Sequence, residues 1–214
     1  MTYIHTIGIT IIFLLALEKT HADTLLINHV LKRINLSTNE QIHFTSLFTF
    51  RKILPRQYLL QQGEICRYEF FIVEVFLRSF FVDDVGTEHT LNFALEDWWI
   101  SDTKSFLQSL PSEINIVAHE PTIVMQIQKE ALEQLYLDYP IFDRFWRLLN
   151  QNFNVSQSER VLNTISMNGA ERYHALVTKY PKIESRLAQK HIASYLGITP
   201  VFLSMIRRSQ LKIK

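Results

Sequence analysis

The chain has 214 residues, 47% of them hydrophobic and 20% charged, enough apolar material to bury a sizeable core and too much for a disordered polymer. Its single cysteine, Cys66, excludes an intrachain disulfide framework and any cluster of thiolate ligands, and its eight histidines lack the short spacings of a zinc site. The net charge of +1 conceals an uneven distribution: residues 172–214 hold nine Lys/Arg against Glu184 alone, so residues 1–171 sum to −7.

In chain order, the first element is the uncharged apolar run Ile7 to Leu17, "IGITIIFLLAL". It has about half the roughly 20 residues that cross a bilayer as a helix. Three readings stand side by side. It is a secretory signal, with Thr20-His21-Ala22 as a loose small-x-small site but no Lys or Arg before it; a packed or membrane-lying helix; or the product of a start codon assigned too far upstream. The third is preferred, because the other end of the chain has an intracellular character, and residues 1–22 are set apart as an extension.

From Asp23 to Ile34 and from Ser37 to Phe48 the apolar spacing is helical, and Ser37-x-x-Glu40 forms a capping-box pattern at the second start. From Phe50 to Ile127 the chain changes to short runs of Phe, Val, Ile and Tyr broken at Pro55, Gly63, Asp83 to Gly86 and Pro111, which predicts antiparallel strands closing into a sandwich or barrel. "VDDVGTEHT" reads as a hairpin in which Gly86 takes the positive φ. The helical period returns at Lys129. Phe142, Trp146, Leu149 and Phe153 recur at 4-3-4 spacing and are assigned to a dimer seam, with docking onto the chain's own β-domain as the alternative. Further helices are predicted over Ser158 to Ile165 and over "AERYHALVTKYP", the latter ending at Pro181.

The stretch "QKHIASYLGITPVFLSMIRR", Gln189 to Arg208, meets the demands of two helices crossing closely. Ala193 is the small residue at the crossing, Gly197 the turn residue tolerant of positive φ, and Ile192, Leu196, Ile198, Leu203 and Ile206 the apolar plugs. Thr199 is a natural N-cap, and Pro200 stands where a missing N–H costs nothing. The outward face then holds Val201, Ser204, Met205 and Arg208, suited to base edges in a major groove. Gln189, Lys190, Thr199, Arg207, Lys212 and Lys214 flank it and complete the expected DNA-binding set; the cations among them would neutralise phosphates. A plain helical hairpin with a solvated basic face is the competing account.

Two lead-in helices, a β-roll, a long aromatic-seamed helix and this helix-turn-helix together resemble the Crp-Fnr family of bacterial transcription regulators over about Asp23 to Arg208. The resemblance is carried by "LLQQGEICRYEFFIVE", "GTEHTLNFALEDWW" and "ERYHALVTKYP…QKHIASYLGITPVFLSMIRR". It implies an α+β fold: lead-in helices with a cyclic nucleotide-binding-like jelly roll as sensor (residues 23–136), a dimerisation helix (137–156) and a helix-turn-helix domain (157–214). It also implies a cytoplasmic homodimer on double-stranded DNA, with RNA polymerase as a further candidate partner, no membrane partner, no cofactor beyond an unidentified small-molecule effector, and no enzyme activity. A ligand-sensing or scaffold β-roll protein with weak or no specific DNA binding is the alternative.

The departures from the family pattern shape the remaining expectations. Where cyclic nucleotide-binding members carry Gly-Glu and Arg-Ser, this sequence aligns Ser101-Asp102 and Ser112-Glu113, so the phosphate-neutralising arginine is gone. Asp97, Asp102 and Glu113 are expected to make the site acidic, which repels a phosphate in a low-dielectric pocket. Trp98 and Trp99 can line a pocket for a cationic or aromatic effector, or fill core. One cysteine cannot hold the family's iron-sulfur cluster. Many relatives carry an arginine where Met205 stands. Enzyme motifs are wanting: there is no glycine-rich phosphate loop, no Gly-x-Ser-x-Gly and no His-Glu-x-x-His.

Overall fold

A computed structural model describes residues 2–211, with the side chains of residues 13–209. In chain order the elements are α1 (Thr2–Leu31), α2 (Thr38–Ser46), β1 (Thr49–Ile53), β2 (Tyr58–Leu60), β3 (Tyr68–Glu74), β4 (Leu77–Val82), β5 (Glu88–Ala94), β6 (Trp98–Ile100), α3 (Thr103–Gln108), β7 (Asn115–Ala118), β8 (Thr122–Gln128), α4 (Lys129–Asp138), α5 (Ile141–Ser166), α6 (Gly169–Lys179), α7 (Ile183–Arg186), α8 (Gln189–Leu196) and α9 (Pro200–Leu211). The order of helices and strands follows the sequence reading except for two short helices, α3 inside the predicted strand block and α7 before α8. Two boundaries also differ. The first lead-in helix is part of α1, which runs without a break across the expected division at residues 22 and 23. The predicted helix over Ser158 to Ile165 is the later part of α5, since no Gly or Pro interrupts the run from Ile141. The apolar run Ile7 to Leu17 is described only in part; within it Phe13, Leu14, Leu15 and Leu17 are exposed. Among the described residues no helix is long and apolar enough to cross a membrane.

The chain forms two compact units, one of residues up to Arg78 with Phe93–Leu148, the other of Ser79–Asn92 with residues from Leu149 onward. The first unit is built on a four-stranded antiparallel sheet in the order β1-β8-β3-β6. Its register is set by Phe50 opposite Met125, Phe71 opposite Met125 and Phe71 opposite Trp99. β2 pairs with β7 in the same unit. All four residues from Phe70 to Val73 are buried, so β3 is covered on both faces and reads as a continuous apolar run rather than an alternating one. One cover comes from helices: His29 of α1 meets Phe71 edge-on at 5.2 Å and Phe145 at 6.0 Å, while Phe44 of α2 stacks on Phe142 at 4.7 Å. α2 begins as expected, with Ser37 Oγ accepting from Glu40 N and the Glu40 carboxylate accepting from Ser37 N at 2.7 Å.

In the second unit the turn between β4 and β5 is closed by Asp83, whose carboxylate accepts from the Val85 and Thr87 amides, with Gly86 at φ +85° as the sequence demands. α6 starts on a second capping box, Asn168 with Glu171. Gly169 lies buried at that start because a Cβ there would come within 2.9 Å of both Phe202 and Ile198. Tyr173, Leu176, Ile192, Ala193, Leu196, Leu203 and Ile206 form the core where α6, α8 and α9 meet.

Candidate functional site

The helix-turn-helix is the part of the site most fully set by local rules. Gly197 ends α8 in the left-handed conformation at φ 65°, and its amide bonds back to Ala193 and Ser194 carbonyls. Thr199 Oγ1 accepts from Phe202 N at 3.1 Å, and Pro200 is the first helical residue of α9. Ala193 and Leu203 have no exposed surface, and Ile192, Leu196 and Ile206 are buried, so the inward face is closed with the plugs expected; Ile198 is half-buried beside Gly169. Arg172, which sequence reasoning passed over, braces the assembly from α6: Nε donates to Leu196 O at 3.1 Å and Nη1 to Met167 O at 2.7 Å, satisfying carbonyls at the ends of α8 and α5.

On the outward side Val201 is 72% exposed and Met205 61%, with Lys190 and Arg208 also exposed. Four of the expected DNA-facing residues are engaged within the unit, Thr199 among them as the cap of α9. Gln189 Nε2 donates to Ser204 Oγ at 2.6 Å and to Pro200 O at 3.0 Å, tying the start of α8 to α9. Arg207 is not a spare cation: its Nε lies 3.0 Å from Glu184, whose carboxylate also accepts a hydrogen bond from the Tyr173 hydroxyl, and burial followed by that carboxylate pushes the tyrosine up to about 12. Residue 207 follows the inward Ile206 and so falls on the flank of α9 nearer α7, where its partner waits. Lys212 and Lys214 lie outside the described residues.

The expected effector residues do not converge on one acidic pocket. Asp102 is the N-cap of α3: its Oδ1 accepts from Ser105 N at 3.2 Å, and its Oδ2 accepts from the buried Ser112 hydroxyl at 2.7 Å. Ser105 Oγ is drawn into the same network, accepting from Cys66 N at 2.8 Å and donating to Leu110 O at 2.6 Å. The Asp102 carboxylate, the Ser105 amide and the Ser105 and Ser112 hydroxyls are thus matched by the chain itself. Glu113, by contrast, points out, with a side chain 75% exposed and paired to Lys104 Nζ at 2.8 Å. Asp97 stands elsewhere, bonded to His29 Nδ1 of α1 at 2.7 Å and to Lys32 Nζ, just past the end of α1, at 2.6 Å; burial opposes its ionisation, but these two partners hold its carboxyl below the usual range. Trp98 and Trp99 cannot share a pocket, because successive strand residues face opposite ways. Trp99 lies on the Phe71 side, against Trp146 at 5.3 Å and Phe145 at 6.1 Å, while Trp98 is 41% exposed on the other.

The expected dimer seam divides. Phe142 and Trp146 are buried against Phe44 and Trp99 of their own unit, Leu149 is half-buried, and Phe153 is 39% exposed. The seam as first drawn is therefore chiefly an internal packing stripe. On the opposite side of α5, Val155, Leu162 and Ile165 are exposed, Ile165 at 80%. With Ser158 between them they recur at alternating three- and four-residue steps, the spacing of a helix-pairing face.

A second feature escaped the sequence. The β4–β5 hairpin, expected in the sensor, clusters with the helical residues. Ser194 of α8 accepts from Thr90 N at 2.9 Å and donates to Glu88 O at 3.1 Å, taking the place of a neighbouring strand. Arg160 bonds Leu91 O, reaches Asn92 Oδ1 at 3.5 Å and lies 4.5 Å from the Tyr195 ring centre, and Gln157 bonds Asn92 Oδ1 at 3.3 Å. No local pattern announces such contacts, since Ser and Arg on a helix surface are ordinarily solvated.

Residues 50–139 match the cyclic nucleotide-binding domain family. The chain has the fold of the Crp-Fnr regulators. CLP of Xanthomonas campestris, described as a c-di-GMP-responsive global regulator, aligns at TM-score 0.66 and 12% identity, over 82% of this chain and 92% of that one. A putative Crp-Fnr regulator from Eubacterium rectale aligns at 0.65 and 16%, over 83% and 85%. FixK2 of Bradyrhizobium japonicum aligns at 0.62 and 18%, over 78% and 85%. No curated protein sequence is significantly similar. Within this Crp-Fnr fold, α3 and its flanking loop are the cyclic nucleotide-binding domain's helix between β6 and β7, and α8–α9 the C-terminal helix-turn-helix. Among the described residues no group of three or more His, Cys, Asp or Glu lies together as a metal site.

Proposed function

We propose that the chain is a homodimeric, sequence-specific DNA-binding transcription regulator whose β-roll does not bind cyclic AMP. The observation that carries the reading is α9: a helix closed on its inward side by Leu203 and Ile206, fixed at its start by Thr199 and Pro200, and open on the side that holds Val201, Met205 and Arg208 beside Lys190. Such a helix fits the major groove, with the exposed cations set against phosphates. The later turns of α5, through Val155, Leu162 and Ile165, supply the surface for a second copy, and two copies give the two-fold arrangement a near-palindromic site requires. The β-roll of the first unit then acts as sensor and the helix-turn-helix after α5 as reader.

The exclusion of cyclic AMP rests on chemistry at α3. A cyclic phosphate needs free amides and a neutralising cation, whereas Asp102 and Ser112 already occupy one another and the α3 start, and a carboxylate there repels a second anion. Isothermal titration of cyclic AMP into the full chain is expected to give no binding heat; micromolar affinity would overturn this half of the proposal.

Selection from random duplexes tests the other half. A preferred sequence is expected, with Arg208→Ala relaxing that preference by about 1–3 kcal/mol and Lys190→Ala mainly reducing the salt slope by about 1. Binding of every duplex alike by the intact chain would remove the regulator reading.

A further inference from the structure

Granting the DNA-binding reading, the chemistry left on α9 says which base feature it recognises. Val201, Met205 and Arg208 follow one another at four and three residues, so they form a single stripe along the helix. The stripe is exposed although the inward side of the same helix is fully packed. Its polar neighbours are turned to internal partners: Gln189 and Ser204 to each other at 2.6 Å, Arg207 to Glu184 at 3.0 Å, and the Thr199 hydroxyl to Phe202 N at 3.1 Å. What the stripe itself offers a groove is two apolar side chains and one guanidinium. Among the base edges of the major groove the thymine C5-methyl is the one apolar substituent, and the donors and acceptors of the other edges would be left unpaired against an apolar side chain.

We infer that α9 selects its site by thymine methyl groups, with Val201 and Met205 as the specificity-determining residues and Arg208 supplying the charged contact. The two apolar residues are separated by about 6 Å along the helix. That matches about two base steps of B-form DNA, so the preferred half-site carries thymines within two steps of one another. The exposed Lys190 and Arg208, on a segment of residues 172–214 with nine Lys/Arg against Glu184, give the charge complement that holds the stripe in the groove.

Replacing dT by dU removes that methyl group and leaves base pairing intact, which makes the test direct. The full chain selects from random duplexes; the enriched duplex is resynthesised with dU at each half-site thymine in turn and titrated by gel shift at fixed salt. The expected loss is about fourfold for each methyl contacted, the value of burying one such group. Val201→Ser and Met205→Gln should each abolish the dT/dU difference at one position while melting like the parent, since both side chains are exposed. An enriched duplex indifferent to dU overturns the inference and leaves DNA binding intact. A dU penalty unchanged in both variants assigns the methyl contact to another residue and overturns it too. Failure to enrich any duplex removes the DNA-binding reading itself, and the inference with it.

Discussion

The opening and later turns of α5 are both rich in apolar residues, yet Phe142, Phe145 and Trp146 vanish into their own unit while Val155, Leu162 and Ile165 face outward. The start of α3 and the outward stripe of α9 repeat the contrast in polar terms. Asp102 and Ser112 consume each other's hydrogen bonds, whereas Arg208 and Lys190 stand in solvent. The first pair is apolar on both sides and the second polar on both; what differs within each is whether the rest of the chain reaches that face. Faces filled from within stabilise the fold, and faces left open are where a partner gains contact area.

Three changes test that division, from the largest expected effect to the smallest. Phe142→Ala removes a ring stacked on Phe44 and should cost about 3–5 kcal/mol in chemical denaturation. A loss below about 1 kcal/mol, with dimer dissociation instead, would return Phe142 to the interface. Glu69 probes the filled region by pH. Burial pushes its carboxyl from 4.5 up to about 7, against a hydrogen bond with Ser101 that lowers it. Its neutral form is the one the fold favours, so the contribution is complete below pH 4.5 and drains away as pH rises through about 7. Glu69→Gln, permanently neutral, should match the parent near pH 4 and exceed it by about 1–3 kcal/mol at pH 8; an equal gain at both would mean that no such titration occurs. Leu162→Asp alters an open face and should change monomer stability by no more than about 0.5 kcal/mol. Light scattering should nevertheless find the dimer dissociated, and an undisturbed dimer would exclude that side of α5.

Much of the fold was legible beforehand for identifiable reasons. Ser37 with Glu40, Gly86, Gly197 and Thr199-Pro200 each act within a few residues of themselves, and all behave as their chemistry predicts. The apolar stripe of α5 was visible too, but periodicity reports that a face is apolar and not what lies against it. Both Phe142 and Ile165 satisfy a helical period; only the arrival of α2 and β6 separates them. The paired tryptophans divide for a related reason. Adjacent in sequence, Trp98 and Trp99 lie on a strand that turns them to opposite faces.

Sequence by itself determined the starts of α2 and α9, the positive φ of Gly86 and Gly197, and a basic helix-turn-helix over Gln189 to Arg208, because capping, backbone sign and period belong to short runs of residues. Tertiary structure alone decided that Asp97 serves His29, 68 residues away, that Arg207 is spent on Glu184, and that the hairpin at Thr90 is held by Ser194. Those assignments depend on which charged or hydroxyl group reaches hydrogen-bonding distance, and a hydrogen bond is lost within about an ångström of misplacement. Such precision is not encoded by composition or period, only by the packing that brings distant segments together.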